Sequence, residues 1–180
     1  MMNEIKVNEN ISLSPTTYND CQAMVEYLSE KAIYDTTLNI PHPYSKADAV
    51  YIVNHFDMLT QKQGKCSNWA IRNIDKKLIG VIGFHGGINT HKSEIGYWLA
   101  KPFWGKSIMT DVLRTVCNIS FQHTILKRIT ATIFEHNIAS QKVLEKCNFV
   151  LEANRLRNYY FKDDRFIDAK LYALTKQYER

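Results

Sequence analysis

Between Ser93 and Phe121 the chain passes from strand to helix through one short turn. Ser93–Ala100 (SEIGYWLA) reads as a strand, and Lys101–Lys106, with Pro102 and Gly105, reads as a turn. The helix that follows places Ile108, Val112, Leu113, Val116 and Ser120 on one face at a 3.6-residue period. A helix that starts straight out of a turn leaves its first backbone N–H groups without partners, at the positive end of the helix dipole. That is an anion site, and Lys106 in the turn adds a cation to it. The chemistry suggested is binding of a phosphate-bearing ligand, although a Pro…Gly turn of this kind also serves as an ordinary strand-to-helix connection.

The rest of the chain supplies the frame for that unit. At 180 residues it is read as one domain, 1–180, able to bury roughly 70% of its unfolded surface without staples. The net charge of +5 is spread along the sequence with no run of five like charges. This mild excess favours an anionic ligand and gives no sign of nucleic acid. Cys21, Cys66, Cys117 and Cys147 lie far apart with no C-x-x-C pair, which reads as reduced buried thiols. The opening MMNEIKVNEN has no apolar h-region, and no segment approaches 18 apolar residues. The expectation is a soluble, cytoplasmic protein with no membrane partner.

Ile11–Leu13 reads as a short first strand. Pro15 opens a helical segment to about Lys31 with Cys21, Val25 and Leu28 as its buried stripe, and Ala32–Tyr44 is a loop. Ser45 with Asp48 makes a capping-box start to a helix ending near Gln63. Strands are expected at Asn68–Arg72, Leu78–Phe84 and Arg128–Phe134, then a short helix Ile138–Cys147 capped by Asn137. Two last strands, about Asn154–Phe161 and Phe166–Leu174, flank a Lys162–Arg165 turn. This order predicts an α/β (α+β) mixed sheet with helices on both faces.

Four pieces of the chain, in order and at matching spacing, resemble the GCN5-related N-acetyltransferases, and within them the Rim-type branch that includes ribosomal-protein N-terminal acetyltransferases. They are IGYWLAKPFWGKSIMTDVL, Asn137-Ile138-Ala139-Ser140, Val143–Phe149 and the tail Tyr159–Leu174. The resemblance implies a mostly antiparallel central sheet with one splayed strand pair, and acetyl-CoA as co-substrate without a metal. It implies that backbone groups around Trp98, Leu99 and Ala100 pair with the pantetheine amides as an added strand would. It further implies that Gly105, Lys106, Ser107, Ile108 and Met109 present the phosphate-binding turn and helix start, that Asn137 contacts the pantetheine arm, and that Ser140 lies near the thiol.

Four residues depart from the family pattern. Ser107 and Met109 stand where the family has Gly or another small residue; Ser107 can donate through a helical backbone, and Met109 is expected to turn into the core. Asn148 stands for a Gly past a helix end, a left-handed position that Asn tolerates. Leu144 replaces a Tyr that many relatives use to reprotonate the departing thiolate, which leaves Ser140 or an ordered water for that step.

Acyl transfer from a thioester to an amine needs a proton acceptor for the amine and a donor for the developing oxyanion. Glu94 and His85 are the candidate bases, and the N–H near Leu99 is the candidate oxyanion donor. Each residue also has a plain structural reading: Asn137 as an N-cap, Ser140 as a first-turn polar residue, Glu94 as a solvated or paired carboxylate, Tyr97 and Trp98 as packing. The acceptor, a peptide N-terminus or a small amine, is expected among the Ala32–Tyr44 loop, the first two helices and the final hairpin. There Arg155 and Arg157 would meet an acidic acceptor, and Asp35 a cation. Oligomeric state is not legible, and a homodimer stays open. A non-catalytic CoA-binding module and a basic RNA- or ribosome-associated domain are the competing functions; the second lacks a basic stripe.

Overall fold

The computed structural model describes residues 4–176, so the single-domain reading of 1–180 and the first three residues of the MMNEIKVNEN segment reach beyond the described residues. Eight strands form one sheet: β1 (Ile5–Lys6), β2 (Ser12–Ser14), β3 (Asn68–Arg72), β4 (Leu78–His85), β5 (Lys92–Leu99), β6 (Arg128–Phe134), β7 (Val150–Lys162) and β8 (Arg165–Thr175). Their spatial order is β1-β2-β3-β4-β5-β6-β8-β7. Every neighbouring pair is antiparallel except β5–β6. The helices are α1 (Cys21–Leu28), α2 (Lys31–Tyr34), α3 (Lys46–Gln63), α4 (Ile108–His123) and α5 (Ile138–Lys146).

Alternation along the strands sends side chains to two different cores. Trp69, Ile71, Ile82, Phe84, Ile95 and Leu99 meet α4 and α5 through Val112, Leu113, Val116 and Leu144. On the other face Ala70, Leu78, Val81 and Trp98 meet α1, α2 and α3 through Met24, Leu28, Ile33 and Val53. Helices therefore cover both faces, as the element order predicts. A buried ion pair fastens the first edge: the Arg72 guanidinium donates to both carboxylate oxygens of Asp20, and its Nε donates to Ser14 Oγ at 2.9 Å.

The local signals translate unevenly. Ser45 and Asp48 form the expected reciprocal cap, and Gly64 ends α3 in the left-handed region. β3 and β6 have the expected bounds. The first helix is shorter than expected: Tyr18–Asp20 winds as a 3-10 turn, α1 begins at Cys21, and Met24 rather than Val25 joins Cys21 and Leu28 in the core. The expected Ala32–Tyr44 loop contains most of α2. The final hairpin is longer than expected, and its turn is Asp163–Asp164, both at positive φ.

Candidate active site

The β5–β6 pair is where the sheet opens. The two strands are paired only at Lys92–Arg128, Ser93–Ile129 and Glu94–Thr130, whereas β4 follows β5 as far as Leu99 and β8 follows β6 to Phe134. Past Glu94 the strands part. In a continuing parallel ladder the Thr132 N–H would reach the next carbonyl of β5. Instead the Glu94 carboxylate takes it, with Oε1 accepting from Thr132 N at 3.2 Å. A side chain thus satisfies the backbone donor that the splay releases.

The gap is lined on one side by the free edge of β5. A Cβ placed on Gly80 would lie 2.5 Å from the Trp98 carbonyl oxygen, so Trp98 directs its backbone toward β4. Tyr97 and Leu99, one residue to either side, direct theirs toward the gap. Two of the backbone groups expected to be open are engaged: the Trp104 indole donates to Leu99 O at 2.6 Å, and Ala100 N donates to Ile79 O at 2.8 Å. The expectation of free groups at Trp98, Leu99 and Ala100 is corrected to that extent, because Trp98 and Ala100 face β4 and Trp104 folds back onto the Leu99 carbonyl.

At the foot of the gap stands the N-terminus of α4. Gly105 has φ 72° and Ser107, its N-cap, has φ 58°, and no side chain caps the helix. Ser107 is therefore left-handed rather than helical, the conformation that explains why Gly suits this position. Its backbone turn leaves the first N–H groups of α4 facing out beside exposed Lys106, whose ammonium lies 5.8 Å from the Phe103 ring centre. Met109 is 6% exposed and belongs to the core, so it leaves the helix start clear. Asn148 takes the expected left-handed conformation at φ 62°.

Across the gap, α5 contributes Asn137 and Ser140. Asn137 Oδ1 caps the helix by accepting from Ser140 N at 3.1 Å, and its Nδ2 donates to Thr36 O at 3.4 Å. Ser140 is buried, and its Oγ lies 2.7 Å from the Tyr97 hydroxyl. Tyr97 went unremarked as chemistry in the sequence, where its alternation with Ile95 and Leu99 marks it as a packing residue. Burial pushes its phenol well above the ordinary tyrosine value.

Glu94 and His85 are directly opposite one another across β4–β5 and share the face toward α1–α3. Gly96 makes room for the imidazole: a Cβ there would sit 2.6 Å from His85 Nε2. Glu94 is half-buried at the point of divergence and His85 is exposed. The two candidate bases are thus brought together, with Tyr160 of β7 beside them. Burial, and then the Glu94 charge, push the Tyr160 phenol up to about 12.

These groups line one continuous cleft of about 1340 Å³ that passes from the α3 side of the sheet, through the gap, to the start of α4. A single ligand of ordinary size occupies roughly 300–1,000 Å³, so there is room for two. The hairpin contributes Tyr159 and Tyr160 but neither arginine. Arg155 Nε instead donates to Asp168 at 2.6 Å along the edge strand, and Asp35 pairs with Lys31. The expectation that these side chains face an acceptor is corrected accordingly.

A family model described as an acetyltransferase (GNAT) domain matches residues 10–150. The chain belongs to the GNAT acetyltransferase family. This acetyltransferase is 32% identical over 133 residues to an uncharacterized N-acetyltransferase, YoaA, of Bacillus subtilis, covering 73% of this chain and 74% of that one. It is 26% identical over 175 residues to the ribosomal-protein-serine acetyltransferase of Escherichia coli, covering 96% and 97% of the two chains. Its fold is similar to that of RimL, a ribosomal L7/L12 alpha-N-protein acetyltransferase solved in complex with coenzyme A. The TM-score is 0.85 at 20% identity, over 96% of this chain and 98% of that one. The enzyme is an acetyl-CoA-dependent N-acetyltransferase.

Proposed function

We propose that the donor and acceptor bind from opposite faces of the sheet and react in the β5–β6 gap. The observation that carries this reading is the early end of the β5–β6 ladder, which opens a slot through the sheet beside a helix N-terminus. The pyrophosphate of acetyl-CoA sits at the start of α4, held by the N–H groups of residues 107–109 with Lys106 alongside. The pantetheine arm runs along the free edge of β5 at Tyr97 and Leu99, in the manner of an added strand. The thioester then lies between Leu99 and Ser140, and the acceptor amine arrives from the α1–α3 side. One domain, 1–180, carries the whole reaction, supported by the unbroken sheet from β1 to β7.

Glu94 takes the proton of the attacking amine, directly or through one water. It is favoured over His85 because it is half-buried at the point of divergence. The new C–N bond forms as the C–S bond breaks, the carbonyl oxygen being held meanwhile by the Leu99 N–H. The thiolate leaves and takes a proton through the Ser140 hydroxyl, which is backed by Tyr97; water restores the serine proton as Glu94 returns the amine proton to solvent. Thiol release from acetyl-CoA tests the assignment: Ser140→Ala and Glu94→Gln should each lower kcat about a hundredfold. Unchanged turnover in both would overturn the placement of the reaction.

A further inference from the structure

The acceptor side of the cleft has a chemical character of its own. Its walls are apolar and aromatic: Ile40, Tyr44, Tyr51, Ile52, Phe56 and Trp98. The charges lining the cleft are sorted by side. Among the described residues its lysines (Lys106, Lys142 and Lys146) belong to the turn before α4 or to α5, on the donor side, and none of the lining residues is an arginine. The two carboxylates that line it, Asp48 and Glu94, are on the α3 and β5 walls of the acceptor side. Hydrogen bonds from Ser45 hold the Asp48 carboxyl below the ordinary carboxylate value, so it carries its charge at neutral pH. The hairpin cation Lys162 is committed elsewhere, donating to the carbonyls of Tyr34 at 2.5 Å and Thr37 at 2.6 Å. This also fixes the wall, since His136 holds the Asp35 carbonyl from the other side at 3.1 Å.

We propose that the acceptor is a small hydrophobic amine: a primary ammonium group on an aromatic or branched aliphatic body, with no carboxylate beside it. This rests on the acetyl-transfer reading of the cleft and names the substrate class that the α1–α3 side selects. The ammonium is drawn toward Glu94, which needs its proton, and the body is buried against Tyr44, Ile52 and Phe56. An amino acid or an acidic peptide tail would bring a carboxylate into a chamber that has two of its own and, among the described residues, no lysine or arginine to meet it, only the His55 and His85 imidazoles. A polyamine would present several cations and no apolar body to a chamber whose only two carboxylates include the one engaged in catalysis.

The test is a matched pair, phenethylamine and phenylalanine, which share a body and differ by the carboxylate. Each is assayed for thiol release with acetyl-CoA, beside spermidine and an acidic N-terminal peptide, and for calorimetric binding to the enzyme without acetyl-CoA. Phenethylamine should exceed each of the others by about tenfold or more in kcat/KM, and should bind more tightly than phenylalanine. Tyr51→Arg, a change on the exposed rim, should narrow the gap between the pair at least about threefold by supplying the missing cation. Thiol release with phenylalanine, spermidine or the peptide as the better substrate would overturn the acceptor class while leaving the transferase reading in place. Tighter binding of phenethylamine with no thiol release from any acceptor would overturn the transfer reading while supporting the class of the chamber.

Discussion

The Tyr97 hydroxyl and Ser140 Oγ are 2.7 Å apart, and they reach each other across the gap from a splayed strand and a helix that the chain separates by 43 residues. Because burial holds the Tyr97 phenol above its ordinary value, it stays protonated at neutral pH and can donate to the serine oxygen. The serine proton is then free to turn into the gap, where the proposed mechanism puts the thiol.

From this follows the first prediction. Tyr97→Phe keeps the ring and should lower kcat about tenfold with little change in the KM for acetyl-CoA, against about a hundredfold for Ser140→Ala. The double variant should be no worse than Ser140→Ala alone, since the tyrosine acts through the serine. Independent, multiplying losses would refute the coupling.

Glu94 holds the Thr132 N–H and is the proposed base, and two substitutions separate the two roles. Glu94→Gln retains an acceptor oxygen for the Thr132 N–H, so its folding stability should stay near that of the parent while its rate falls, most steeply at neutral pH and less at alkaline pH where free amine is abundant. Glu94→Ala strands that N–H and should cost about 1–3 kcal/mol as well, read from urea unfolding.

Ser107 occupies a left-handed conformation that costs a side-chain-bearing residue roughly 1–2 kcal/mol. Ser107→Gly should therefore raise stability by about 1 kcal/mol. The KM for acetyl-CoA should not move, because the donors at this turn are backbone groups. A large rise in KM would show instead that the hydroxyl itself binds phosphate.

Asp20 and Arg72 have side chains only 5% and 10% exposed, and neither lines the cleft. Asp20→Ala leaves the guanidinium buried and unpaired and should destabilise the enzyme by about 3–5 kcal/mol, a large part of a typical total of about 5–15. Below its new melting temperature the variant should retain its kcat.

Stability should also fall in alkali. Burial pushes the Cys117 and Cys147 thiols above the ordinary value of 9.0. As pH rises past about 9 the unfolded chain loses these protons while the folded chain keeps them, so the free energy of unfolding declines with pH. Urea midpoints between pH 7 and 10.5 should be flat and then drop, and Cys117→Ala should reduce the slope of the drop.

Much of this architecture is legible locally. The Ser45–Asp48 cap, the strands Asn68–Arg72 and Arg128–Phe134, the inward turn of Met109 and the left-handed Asn148 all depend on neighbours within a few residues. What escapes such reading depends on distant partners. Nothing near Glu94 announces that Thr132 needs an acceptor, and nothing near Tyr97 announces Ser140. Arg155 looks available in a sequence and is occupied in the fold, because Asp168 reaches it across the hairpin. In α1 the periodicity slips by one position, from Val25 to Met24, since the helix starts after a 3-10 turn whose residues do not share its pitch. β7 lacks clean alternation because its register against β8 shifts three times.

The early end of the β5–β6 ladder makes the sheet a partition with a window, and each substrate needs access only to its own side. In the proposed arrangement donor recognition is written in the turn before α4 and in the free strand edge, whereas the acceptor chamber is written in α1, α3 and the loop between them. On this reading the chamber can be rebuilt, by selection or by design, without disturbing the half of the molecule proposed to hold coenzyme A. Residues 39–56 are the place to exchange when a different amine is wanted.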